Sequence, residues 1–239
     1  NGAGVSELAA ELDMAKSTVH GHLATLKERG YLVQDDGSRY HLSLKFLTLG
    51  GSVRRLRTIY SLVEPLLAEI AGETGESVNY AIESQGKMTF VGSVLGDEGI
   101  RTEVDIGYRS ALHSTPEGKL ILAHLPDSRR RELLDEIEFP IGNSVGRAAF
   151  TAELDEIRDA GAAYGNQTIV KNVATVSVPV IDNEEAFYGA IVVAGPSLRF
   201  TPDRVESVKE TLQYKVGKLN IDLTYETQDS GGKDHPERR

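Results

Sequence analysis

Lys16, Ser17, Thr18, His20 and His22 crowd the stretch KSTVHGHLATLKERGYL with hydrogen-bonding side chains. A shared metal is excluded there by spacing. Residues two apart on a helix point about 200° from each other, so His20 and His22 cannot grip one ion. His113 and His124 have no acid-plus-histidine partner at ligand spacing. The chain has no cysteine, hence no thiol nucleophile, disulfide or thiolate metal site. HSTPEGKL imitates a phosphate loop poorly, with His113 in place of the first glycine and Leu120 in place of the metal-binding hydroxyl. No G-x-S-x-G elbow exists to make His113-Ser114 part of a triad. No metal and no cofactor are expected. HSTPEGKL reads instead as the N-terminus of a pocket-lining helix.

The elements that would position the N-terminal cluster follow from periodicity. Ser6 is expected to cap a first helix with Leu8, Ala9 and Leu12 on one face. Asp13 tolerates the left-handed backbone of a tight turn. Lys16 opens a second helix with Val19, Leu23 and Leu26 at helical spacing, and Gly30 stops it. Tyr31–Val33, the turn at Asp35–Ser38 and Arg39–Leu42 complete a two-stranded wing. This is a winged helix-turn-helix, whose second helix enters the major groove. The residues expected on DNA are Lys16, Ser17, Thr18, His20, Gly21 and His22 on that helix and Arg39 and Tyr40 on the wing. A protein-binding helical module is the bland alternative, since fold alone does not fix function.

The net charge of −10 is at odds with DNA until it is divided. Residues 1–60 carry eight basic and six acidic side chains, a balance of +2, and the remainder carries −12. The acid therefore belongs to the second part of the chain, where it discourages non-specific nucleic-acid contacts. There is no secretory signal and no apolar run long enough to span a bilayer, so cytoplasm is the default and no membrane partner is expected.

Beyond the wing, Leu44–Leu56 reads as a linker helix interrupted or ended near Gly50-Gly51, and Ile59–Thr74 as an amphipathic helix with Pro65 in its first turns or kinking it. Strands are expected at Ser77–Glu83, Met88–Val94, Thr102–Ile106, Val176–Ile181 and Tyr188–Ala194, the last central to the sheet. Helices are expected at Thr115–Leu125, Asp127–Ile137, Ala152–Ala160 and from Pro202 onward, with Phe139–Phe150 irregular. The face Val205, Val208, Leu212, Val216, Leu219 and Leu223 is expected to pack on the sheet, with another subunit as the alternative. The fold class is α+β: a winged helix-turn-helix joined by a linker helix to a GAF/PAS-like antiparallel-sheet domain. The expected domains are 1–43, winged; 44–58, linker; 59–226, sheet domain; and 227–239, a disordered tail.

Three blocks, KSTVHGHLATLKERGYL…YHLSLKFLTLG, LHSTPEGKLILAHL and ATVSVPVID…FYGAIVVAGPSLRFT, resemble the IclR-type transcriptional regulators in the same order. The resemblance runs from Val5 to about Leu223. It implies a winged DNA-binding domain, a linker helix and a GAF-like effector-binding domain, assembled as dimers or tetramers on a palindromic operator. Family members carry an amphipathic helix before the motif; here that helix is missing, so the numbered chain is expected to be a fragment. Many relatives also carry Arg at the position of Gly21.

The resemblance further implies an effector pocket at Pro116, Glu117, Gly165, Thr175, Val192 and Ala194. Thr115 and Gly118 join them on chemical grounds, because the first N–H groups of a helix suit an anionic or carbonyl-bearing ligand. Relatives that bind small carboxylates tend to place an acid near Gly165 and hydroxyls near Val192 and Ala194. Those groups are absent here, and Glu117 is expected to bring negative charge to the helix start, which argues against a small carboxylate. The Tyr164–Asn172 stretch is expected to be a lid. The reading is thus a transcriptional regulator whose operator affinity is set by a small-molecule effector. The alternatives are a DNA-binding architectural protein without ligand, or an enzyme using the GAF-like cleft.

Overall fold

A computed structural model of the chain describes residues 2–55, 58–101, 104–137, 146–166 and 170–229. It divides into two compact units, Asn1–Arg57 and Thr58–Arg239.

The first unit holds α1 (Val5–Glu11), α2 (Lys16–Glu28), β1 (Leu32–Gln34), β2 (Tyr40–Leu42) and α3 (Lys45–Arg55). Gly4, not Ser6, caps α1, and the Glu7 carboxylate reaches back to accept the Gly4 N–H at 3.3 Å. Asp13 takes the left-handed turn with φ 51°. Gly30, at φ 74°, ends α2 as expected, and the Gly30 and Tyr31 N–H groups bond the Lys27 and Leu26 carbonyls at 2.9 and 2.8 Å. β1 and β2 pair antiparallel, and Ala3 bridges Tyr40. The core is small: Ala9, Val19, Leu23 and Tyr40. Leu26 lies outside it, 42 % exposed. α3 runs unbroken through Gly50-Gly51, correcting the expected interruption, because two glycines weaken a helix without forbidding it.

The second unit runs α4 (Thr58–Thr74), β3 (Ser77–Ser84), β4 (Lys87–Val94), β5 (Arg109–Ala111), α5 (Pro116–His124), α6 (Asp127–Glu136), α7 (Arg147–Ala160), β6 (Ala163–Asn166), β7 (Val173–Ile181), β8 (Phe187–Pro196) and α8 (Pro202–Asp229). Pro65 sits in the interior of α4, where the helix continues past it. The six strands form one antiparallel sheet in the order β5-β4-β3-β8-β7-β6, with β8 central. Alternation along the strands sends side chains to opposite faces. Val78, Tyr80, Val176, Val178, Ile191 and Val193 pack with Leu67 and Ile70 of α4 and with Val208, Leu212 and Val216 of α8. Ala81, Ala190 and Val192 pack instead with Leu120 and Ile121 of α5 and Leu154 of α7. α8 therefore lies on the sheet, as its stripe predicts.

Four expectations change. Residues 104–106 are not a strand; the third antiparallel strand on that side is the three-residue β5, and residues 102–103 lie outside the described ones. α7 starts at Arg147, five residues before its expected start, so Arg147–Phe150 is helical rather than irregular; 139–145 lie outside the described residues. Tyr164–Asn166 belongs to β6, which removes the first part of the expected lid; 167–169 lie outside the described residues. α8 continues to Asp229, past the expected start of the tail, while 230–239 lie outside the described residues. Among the described residues no helix is long and apolar enough to cross a membrane.

Candidate functional site

On α2, Lys16, Ser17, Thr18, His20, Gly21 and His22 are all exposed, while Val19 and Leu23 are buried. At about 100° per residue, Gly21 occupies the centre of the outward face. Ser17 and Thr25 lie beside it, Thr18 and Ala24 next, and His20 and His22 at its two edges. Nothing lies within 4 Å of where a Cβ on Gly21 would be, so packing does not require glycine there. Together Gly21 and Ala24 leave a shallow centre flanked by hydroxyls. Ala24 and Thr25 were not singled out by sequence; the helical wheel alone would have found them.

The wing departs from expectation. Tyr40 is a core residue, 7 % exposed, because alternation in a three-residue strand turns it inward between Arg39 and His41; it is withdrawn as a DNA contact. The Arg39 guanidinium donates to the Gly2 carbonyl and, at 2.9 Å, to Glu7 Oε2. That carboxylate is held below its usual range by the Gly4 N–H and then by Arg39. His41 meets Asp35 across the wing at 2.8 Å, and that contact holds the Asp35 carboxyl below its ordinary value.

In the second unit, strand register builds a cavity of about 280 Å³ on the face opposite α4 and α8. Ser77 of β3 and Thr175 of β7 both stand opposite Ala194 of β8, and Asn79 stands opposite Val192. These five residues line the cavity. Phe90 and Ser93 of β4, Leu95, Ile100, Arg101, Val104 and Asp105 of the segment after it, and Val170 and Val173 complete the wall. Glu117 of α5 also lines it, fully buried.

Four of the eight expected effector positions, Glu117, Thr175, Val192 and Ala194, thus face one space. The other four shape the frame. Thr115 caps α5, accepting the Gly118 N–H at 3.0 Å, and Pro116 occupies the first turn. A Cβ on Gly118 would fall 2.4 Å from the Leu112 carbonyl oxygen, so glycine lets α5 approach the turn before it. Gly165 pairs with Thr175 from the edge strand β6. The expected free N–H groups at this helix start are in part occupied: Thr115 takes those of Gly118 and Lys119 through its hydroxyl and carbonyl.

The expected negative charge is also revised. Burial pushes the Glu117 carboxyl above its ordinary value, opposed by its own backbone N–H and by Thr175. Thr175 Oγ1 lies 3.4 Å from Glu117 Oε2, while Glu117 Oε1 is buried without a partner among the described residues. Leu95, Ile100, Arg101, Val104 and Asp105 were missed as part of the site, because the strand pattern read over 102–106 pointed to a sheet and not to a cavity wall. No group of metal-ligating side chains occurs among the described residues.

Comparison with known proteins follows the same division. Residues 1–36 match the profile described as the IclR helix-turn-helix domain, and 52–220 that of the bacterial transcriptional regulator IclR C-terminal domain. The probable HTH-type transcriptional regulator ArcR of Halobacterium salinarum is 30 % identical over 207 residues, 83 % of this chain and 78 % of that protein. The crystal structure of the Thermotoga maritima IclR superposes with TM-score 0.75 at 25 % identity, covering 93 % of this chain and 92 % of the other. An IclR homolog from Microbacterium hydrocarbonoxydans, complexed with 4-hydroxybenzoate, has the same fold, with TM-score 0.75 at 18 % identity over 94 % and 92 % of the two chains. With both units matched in order and the larger profile spanning most of the chain, the protein belongs to the IclR family of transcriptional regulators.

Proposed function

We propose that the cavity beside Glu117 is the effector site of this regulator and that its occupancy sets how tightly α2 holds an operator. The protein is a DNA-binding transcriptional regulator with an effector-binding C-terminal domain. The observation that carries the finer reading is the coincidence of Glu117, Thr175, Val192 and Ala194 on one 280 Å³ space. The 4-hydroxybenzoate held by a structural neighbour supports a small molecule as the occupant. Apolar Phe90, Val170, Val173 and Val192 favour a ligand with an apolar body.

On the DNA side, Ser17, Thr18, His20 and Gly21 present the reading face, with base readout resting on Thr18 and His20, while Lys16 contacts phosphate and His22 lies at the rim. A single α2 reads few base pairs, so two copies related by two-fold symmetry act on a palindromic site in the cytoplasm, as a dimer or a pair of dimers. That the relatives are named as transcriptional regulators supports a non-enzymatic role.

Fluorescence anisotropy on the upstream DNA of the protein's own gene, repeated across a metabolite library, tests this. An effector should shift operator affinity by about 1–3 kcal/mol, roughly five- to 150-fold. Ala194→Phe should fill the cavity and abolish that shift while leaving DNA affinity intact. A shift that survives Ala194→Phe would place the effector elsewhere.

A further inference from the structure

Glu117 is the anomaly of the cavity. A carboxyl group has two oxygens that need partners, and the chain provides a side-chain hydroxyl to only one. Thr175 reaches Oε2 at 3.4 Å; Oε1 has no hydrogen-bond partner among the described residues. The residue is fully buried, and a buried polar atom without a partner is costly unless something completes it.

We infer that Glu117 meets the effector as an uncharged carboxylic acid, giving a hydrogen bond from Oε1 to a carbonyl or carboxylate oxygen at the end of an apolar-bodied ligand. This rests on the cavity being the effector site. With the Thr175 hydroxyl donating to Oε2, that oxygen acts as the acid's carbonyl and the proton belongs on Oε1. The lone donor then points where the ligand would lie. An ionised Glu117 would instead call for a ligand amine.

The surroundings favour the acid. The residues that line the cavity with Glu117 are Ser77 and Asn79 from β3, Val192 and Ala194 from β8, Val173 and Thr175 from β7, and Phe90 and Ser93 from β4, none of which titrates near neutrality. Lys119, two residues along α5, is turned to Glu153 of α7 at 2.5 Å. His113, in the turn before α5, is exposed. Only Arg101 and Asp105 bring charge to the wall, and both are exposed at its mouth. Burial, as stated above, pushes this carboxyl upward.

The sign of the pH dependence follows. A ligand acceptor needs the protonated form, so affinity is full below the pKa of Glu117 and is lost as pH rises through it, by up to about tenfold per unit. Above that pKa each ligand bound takes up one proton from solvent.

The test uses the full chain and matched pairs of acid and amine on phenyl, cyclohexyl and isobutyl skeletons, titrated calorimetrically from about pH 5 to about pH 9. The acids should bind the wild type and weaken as pH rises. Glu117→Gln, which keeps a permanent donor, should hold them within about threefold of the wild type's low-pH affinity and lose the pH dependence. Glu117→Leu should weaken them at least about tenfold. Infrared difference spectra between wild type and Glu117→Gln should show a protonated carboxyl at neutral pH. Amines preferred over acids, tightening as pH rises and lost in Glu117→Gln, would overturn the inference and leave the effector site standing. A missing carboxyl band would overturn it equally. No probe of either series binding would remove the effector-site reading, and this inference with it.

Discussion

The two units do their work on opposite sides of their surfaces. The first presents its residues outward from a helix, over a core of four buried apolar side chains among the described residues. The second has its proposed site inside, between a sheet and α5, with twenty-one buried apolar residues among the described ones in one core cluster and seventeen in the other. The first also exposes Leu12, Leu42, Leu44, Leu47 and Val53. A unit with so little burial has little stability of its own to lose. A site on a surface tolerates that economy, because its side chains need only a straight helix beneath them. A site in a cavity does not, because its walls are the core.

Breaking the thinner core should separate the units most sharply. Leu23→Ala should cost about 2–5 kcal/mol, enough to unfold the first unit alone. Operator binding would vanish while a urea transition of the second unit, followed by calorimetry or fluorescence, stays where it was. A single shared transition that moves as a whole would show that the two units fold as one.

A smaller effect sharpens the outward face. Thr18→Ala should cost about 1–3 kcal/mol at particular bases, whereas Lys16→Ala should weaken binding to operator and random DNA alike. Anisotropy on both DNAs distinguishes the two, and equal losses on both for both variants would remove the assignment of Thr18 to base reading.

The smallest effect concerns the residue that crossed from surface to core. Tyr40→Phe should change operator affinity by less than about 0.5 kcal/mol. A hydroxyl on phosphate would cost about 1.5–3 kcal/mol on removal.

The comparison also explains what was legible. The α2 face is local: Lys16 to Gly21 are consecutive, and one helical period places all of them. Gly30 ended a helix and Thr115 opened one as read, because caps are local chemistry as well. The cavity is not local. Thr175 and Ser77 meet across Ala194 only through strand register, and register depends on the whole sheet. Glu117 and Thr175 were found through the family resemblance, and neither spacing nor pattern would have paired them. Tyr40 was misread because a polar tip on an aromatic ring fits either environment, and a strand of three residues offers too little alternation to choose. β5 escaped for the same brevity.

β8 carries a consequence in time. It is hydrogen-bonded on both edges, by β3 and β7, and covered on both faces, so no part of its central span can open without its neighbours. Its amide hydrogens near Ile191–Val193 should reach solvent only when the sheet comes apart, and so exchange among the slowest of the described residues. The amides of α2 have no such shelter and keep a faster clock. Val192, a wall of the cavity, sits in the slow strand. Any occupant of that cavity slows the exchange of the whole sheet, and is seen first in the hydrogens that already wait longest.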